Sequence, residues 1–321
     1  MRLIFTKLTL IALVCLNCPT VFAAKNACVT AEVNFSSRFE NLQQDYRKYD
    51  SNANFSKSNQ PYWKTGTRKK IAYLLHGFIG TPYEMKPLAD LLLKSGYTIV
   101  NDIIPGHGVN GQISNHYDEV NWRAHVQKSL DELRSCSNEI SVMGFSTGAL
   151  LIHDYMISNP NFKPQSLVFY SPFYKPDLSF LSWTKDIASL LVPTIPVGPI
   201  YKLSHYQDIR VAVIDTEHYM QEIPLLTTTV IQNLGSNIYS KKILNSNIPA
   251  LLFTSENDQV ADSEISLKKM KEDFNNLSVV WFPKKMRIPH HLMVGTVSIY
   301  ADQINQKAAD FIIRNSKSKI K

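Results

Sequence analysis

From residue 71 onward, short apolar runs alternate with stretches whose apolar residues recur at helical spacing. The runs 71–75, 97–104, 140–143, 167–170, 250–254 and 278–282 have strand length and are rich in β-branched and aromatic residues. The stretches 87–93, 120–133, 149–157 and 304–313 carry the 3.6-residue period of amphipathic helices. Strands that are apolar without alternation are buried on both faces. Interleaved with helices, they predict an α/β fold: a mainly parallel central sheet with helices on both sides. The rhythm breaks between Ser171 and Asn247, where Pro172, Pro176, Pro193, Pro196, Pro199 and Pro224 punctuate the chain and only pieces such as 208–213 read as helical. An insertion of this size in an α/β sheet usually sits over the C-terminal strand ends, where ligands bind, so 173–247 is read as a lid. It divides the core into 61–172 and 248–321. Upstream, 24–60 is polar, but Phe35, Phe39, Leu42 and Tyr46 share one helical face and predict a short amphipathic helix packed on the core.

The first 23 residues have another character. Arg2 and Lys7 precede an apolar run from Leu8 to Leu16, and Val21-Phe22-Ala23 suits signal-peptidase cleavage after Ala23. The run is shorter than the roughly 20 apolar residues a membrane-spanning helix needs. The expectation is therefore an exported protein, periplasmic or secreted, with no transmembrane segment in its mature chain. Of four cysteines, Cys28 and Cys136 remain after that cleavage. In an oxidising compartment they are expected to pair. The formal charge of +7 falls to +5 once Arg2 and Lys7 are removed. Much of the excess lies in the last third and the tail from Arg314, which would favour peripheral contact with an anionic lipid surface. Neither zinc-finger spacing nor a basic stripe interleaved with aromatics is present, so a nucleic-acid partner is not expected.

The chemistry concentrates at Gly144-Phe145-Ser146-Thr147-Gly148, a G-x-S-x-G between a strand and a helix. That order lets a sharp turn lift Ser146 clear of the sheet, provided that the residues two before and two after are small. Acyl transfer to such a serine builds an oxyanion that preorganised N–H donors must meet. The backbone N–H of Thr147 is one candidate donor. The other is that of Phe78, in the loop His76-Gly77-Phe78-Ile79-Gly80 after the first core strand. His76 and His107 read as turn braces.

His76-Gly77-Phe78-Ile79-Gly80-Thr81-Pro82, Pro105-Gly106-His107-Gly108 and the G-x-S-x-G, in this order, resemble the α/β-hydrolase superfamily. Within it the likeness is to bacterial carboxylesterases, monoacylglycerol lipases and lysophospholipases, a group that also holds serine aminopeptidases. It covers about residues 70–172 and 248–315. The resemblance implies a triad in the chain order Ser, acid, His. Asp258, just after the strand 250–254, matches the position of the acid. Glu256 reads as solvent-facing and Asp262 as a helix cap. Pro289-His290-His291-Leu292 offers two bases; His290 is preferred, with His291 left open one residue later. The reaction implied is two-step hydrolysis of a small-molecule or lipid ester through an acyl-enzyme, with no cofactor and no metal site. Trp183, Leu190, Leu191, Val192, Ile195, Val197 and Ile200 would either receive an acyl chain or pack the lid. A peptidase would need an acidic group in the lid, such as Asp215, Glu217 or Glu222. An inactive, binding-only relative is the remaining alternative.

Overall fold

A computed structural model describes residues 19–67, 69–177, 192–204, 209–241 and 244–316. The predicted leader lies outside them up to residue 18. The core is one seven-stranded sheet in the order β1-β3-β2-β4-β5-β8-β9. Its members are β1 (Tyr62–Lys64), β2 (Ile71–Leu75), β3 (Thr98–Asp102), β4 (Ile140–Phe145), β5 (Ser166–Tyr170), β8 (Ala250–Ser255) and β9 (Leu277–Phe282). All neighbours run parallel except β1, which pairs antiparallel with β3. β1 was not expected; three residues at a sheet edge leave too little pattern to read.

Each central strand feeds two cores. Ile71, Tyr73, Leu75, Val142, Leu167, Phe169 and Leu252 point to one face. Ala72, Leu74, Met143, Phe145, Val168, Tyr170 and Phe253 point to the other. Both sets are apolar because helices cover both faces. The first face is covered by α1 (Pro19–Tyr49), α4 (Glu119–Cys136) and α5 (Thr147–Ser158). The second is covered by α2 (Lys86–Lys94) and by α10 (Ala301–Asn315), the last helix among the described residues. α3 is a single turn, Gly111–Ser114. α9 (Ser263–Asp273) follows β8 and is capped by Asp262, whose side chain accepts from the Ile265 N–H.

α1 is longer than the short helix expected and starts inside the predicted leader. No Gly or Pro interrupts it after Pro19. Its buried Phe35 and Tyr46 sit on the core, and Arg38 pairs with Glu132 of α4. A disulfide joins Cys28 to Cys136 at the far end of α4, with Cα atoms 4.5 Å apart and a separation of 108 positions in sequence. A cross-link closing so long a loop removes much of the unfolded chain's freedom. The Cys28→Ser/Cys136→Ser pair is therefore expected to lose about 3–4 kcal/mol of stability, measured by equilibrium denaturation. An unchanged midpoint would show that the bond constrains nothing.

The segment read as a lid is built in two parts. Its end, α8 (Leu225–Ser240), belongs to the core: Ile231, Leu234 and Ile238 are buried in the same cluster as α5. Gly235 permits this, since a Cβ there would lie 2.5 Å from the Phe173 carbonyl oxygen. Earlier in the segment, β6 (Thr194–Pro196) and β7 (Glu222–Pro224) form an antiparallel pair, with α6 (Val197–Ser204) and α7 (Arg210–Ile214) between them. Ile195, Val197, Ile200, Val211 and Ala212 are buried in the second core, so this part of the apolar reserve is packed. Val192 is exposed, and Trp183, Leu190 and Leu191 lie outside the described residues. Among the described residues no helix is long and apolar enough to cross a membrane.

Candidate active site

β2 and β4 are neighbours, with Leu75 opposite Gly144, so the loops leaving their C-terminal ends meet above the sheet. The loop after β4 is the sharp turn that the motif requires. Ser146 has φ 50° and ψ −112°, a conformation costly for a residue with a Cβ. It is held by its N–H donating to the Tyr170 carbonyl at 2.9 Å. The flanking glycines are sterically required. A Cβ on Gly148 would lie 2.4 Å from the His76 carbonyl oxygen, and one on Gly144 would lie 2.7 Å from the Ala149 nitrogen. The strained turn and the start of α5 thus fit only because both positions lack a side chain.

Two further loops converge on Ser146. Asp258 follows β8, and its carboxylate is fixed by the N–H groups of Val260 and Ala261, both donating to Oδ1 at 2.9 Å. The loop after β9 carries His290 and His291. It is tied back by Ser255 donating to the Ile288 carbonyl and by Asn305 of α10 donating to that of Met293. The structure places His290, not His291, against the serine. His290 Nε2 lies 2.9 Å from Ser146 Oγ, and Nδ1 lies 2.7 Å from Asp258 Oδ2. All three side chains are buried. A carboxylate only accepts, so His290 Nδ1 is the donor and Nε2 faces the hydroxyl as an acceptor. Glu256 is exposed and accepts from the Lys284 N–H, away from this chain of bonds.

A family model described as serine aminopeptidase, S33, matches residues 66–282, well over half of the sequence. The chain belongs to this S33 family. It also matches the thermostable monoacylglycerol lipase of Bacillus sp. (strain H-257) at 36% identity over 84 residues, 24% of this chain and only 31% of that lipase. Solved structures share the fold. The monoacylglycerol lipase of Paleococcus ferrophilus superposes with a TM-score of 0.60 at 14% identity, covering 80% of this chain and 99% of its own. A soluble variant of the Saccharomyces cerevisiae monoglyceride lipase, bound to a substrate analogue, gives 0.59 at 16% identity, covering 83% and 94%. The S33 assignment places the chain among the α/β-hydrolases.

In this S33 chain the loop after β2 is braced from beneath. His76 Nε2 accepts from the Ile104 N–H at 3.0 Å, so Nδ1 is the protonated nitrogen and donates to the Gly77 carbonyl at 2.7 Å. Burial, with His107 alongside, pushes His76 down to about 3, which keeps it a neutral brace. His107 is buried too, and burial pushes it down to about 4. Gly77 packs against the elbow: a Cβ there would lie 2.6 Å from the Phe145 ring and 3.2 Å from the Ser146 Cβ. Phe78 is the next residue, and Thr147 opens α5, where helix N–H groups lack intrahelical acceptors. Among the acidic groups considered for an amine site, Asp215 is bonded to His218 at 2.7 Å and Glu217 accepts from Ser58, whereas Glu222 Oε2 is buried with no hydrogen-bond partner among the described residues.

The pattern did not point to Glu84, Tyr219 or the placement of His291. Glu84 reads as an ordinary acidic residue before a helix, yet it is buried under the β2 loop.

Proposed function

We propose that this protein is a serine esterase acting on carboxylic esters of the monoacylglycerol or lysolipid kind, with Ser146, His290 and Asp258 as its triad. The observation that carries this reading is the continuous hydrogen-bonded chain from Asp258 through His290 to a serine lifted on a glycine-flanked bend. His290 removes the Ser146 proton as the oxygen attacks the ester carbonyl. The N–H groups of Phe78 and Thr147 receive the charge on the carbonyl oxygen. The C–O bond to the leaving alcohol then breaks and His290 delivers the proton to that oxygen. Water, deprotonated by the same imidazole, releases the acid and restores Ser146. Asp258 orients the imidazole and stabilises its charged form without taking the proton.

The choice of ester over peptide is supported by the monoacylglycerol lipases in the comparisons. The disulfide suits an oxidising compartment, and we place the reaction outside the cytosol on that ground. The test is a p-nitrophenyl ester series of increasing acyl length run beside aminoacyl p-nitroanilides. Turnover of the esters with a distinct length optimum is expected. Faster cleavage of the anilides would replace the esterase reading by a peptidase, and failure of a fluorophosphonate probe to label Ser146 would remove both.

A further inference from the structure

The β2 loop does not rest on backbone alone. It is wrapped around a carboxyl group. The Gly77 N–H donates to Glu84 Oε2 at 2.8 Å. A Cβ on Gly80 would lie 2.3 Å from the Glu84 carboxyl carbon and would force that side chain to shift, so the loop from Gly77 to Gly80 lies directly against it. The other oxygen, Oε1, faces His291 Nε2 at 3.6 Å. Tyr219 presents its hydroxyl to the same carboxyl and stands edge-on to the His291 ring at 5.7 Å between centroids. Next to it, the Met220 N–H donates to the Ile79 carbonyl at 2.9 Å, binding the inserted segment to the β2 loop. Glu84 is therefore where three parts meet: the loop bearing Phe78, the loop bearing His290, and the insertion.

We propose that Glu84 is a positioning residue for the esterase reaction, holding the Phe78 loop at Gly77 in register with the His290 loop through His291. This rests on the reading of Ser146, His290 and Asp258 given above. Geometry alone makes the link, because Gly77 and Phe78 are consecutive, as are His290 and His291. A shift of either loop would change the distance between the oxyanion donor and the base, and misplacement by about 1 Å costs roughly a hundredfold in rate.

Charge sets the working state of this group. Burial raises Glu84 to about 8, with the Gly77 N–H, Tyr219 and His290 opposing it. Burial, reinforced by His290, drives His291 well below the usual imidazole range. Around neutral pH both are uncharged, with Oε2 accepting from the Gly77 N–H. The groups facing the pair are His290, His291 and Tyr219, with Tyr83 and Asp215 behind Tyr219 and Asp215 bonded to His218. Ionisation of Glu84 is therefore expected only above about pH 8. A carboxylate then lies under the loop that must receive an oxyanion, so kcat should fall.

The experiment is kcat and KM for p-nitrophenyl butyrate between pH 6 and pH 10, using the whole chain, Glu84→Ala and Glu84→Gln, with fluorophosphonate labelling of each. Glu84→Ala is expected to lower kcat roughly ten- to hundredfold with KM changing far less. Glu84→Gln keeps an acceptor for Gly77 and cannot ionise. It should recover most of that loss at pH 7 and abolish the decline above about pH 8. If Glu84→Ala does not fold, the alkaline limb of Glu84→Gln alone decides. Wild-type kcat and pH profile in Glu84→Gln would overturn the proposal while leaving the esterase reading intact. Absence of label on Ser146 in the unmodified chain would overturn both.

Discussion

Ser146→Ala is expected to lower ester turnover by about 10⁵-fold or more, to what the oxyanion donors and substrate binding alone provide. The size follows from the role. Without the hydroxyl no acyl-enzyme forms, and His290 has no proton to remove. The fold should be indifferent to the change. Ser146 Oγ makes its hydrogen bond to His290, and the Cβ that strains the bend at φ 50° is retained in alanine. Stability is therefore expected to stay within about 1 kcal/mol of the parent. His290→Ala should cost about as much as Ser146→Ala, and the double variant little more, because residues acting as one unit do not add. His291→Ala belongs to a different class: that ring does not touch the serine, so labelling of Ser146 should persist. The measurement is p-nitrophenyl butyrate hydrolysis with active-site labelling. Retention of even one part in a hundred of the activity by Ser146→Ala would mean that another group attacks the ester.

How much of this was legible in the sequence depends on range. The central strands were visible because a strand buried on both faces must be largely apolar, as Ile71–Leu75 is and as residues 250–253 are. Ser146 was visible because the bend requires glycine at 144 and 148, a local need written in consecutive residues. His76 as a brace was legible for the same reason, since its partners Gly77 and Ile104 lie in or beside the motifs. The two histidines were different. Nothing local separates His290 from His291. What separates them is the distance to Ser146, fixed by Ser255 holding Ile288 and Asn305 holding Met293, and those bonds join residues far apart in the chain.

Glu84 marks the limit of such reading. Local pattern predicts a solvated acid just before a helix, and tertiary packing overrides it: the loop that Gly77 and Gly80 allow folds down over the carboxyl. The inserted segment shows the same effect on a larger scale. Its prolines announce a break in the sheet, but they carry no information about which piece returns to the core. Ile231, Leu234 and Ile238 of α8 do return, through a close approach at Gly235. Sequence pattern reports which residues want burial and is silent on what buries them.

Asp258→Asn is expected to lower kcat by about 10⁴-fold while leaving the fold intact, and the reason is a proton's position. Asp258 Oδ1 receives two backbone N–H groups, from Val260 and Ala261. An asparagine here must set its amide oxygen in that place, because its NH₂ would oppose both donors. The NH₂ is then left facing His290 Nδ1, 2.7 Å away in the parent. That nitrogen can only become an acceptor, so the proton moves to Nε2, which then points a hydrogen at Ser146 and cannot take one. The ring stays in place and the base is lost. Stability separates this from simple damage. Asp258→Ala strands the two N–H groups and should cost about 1–3 kcal/mol for each left unsatisfied, whereas Asp258→Asn keeps both satisfied. A fall of less than tenfold in Asp258→Asn, with the melting temperature unchanged, would show that the imidazole takes its orientation from elsewhere, and Glu256, exposed and held by the Lys284 N–H, would have to be tested in its stead.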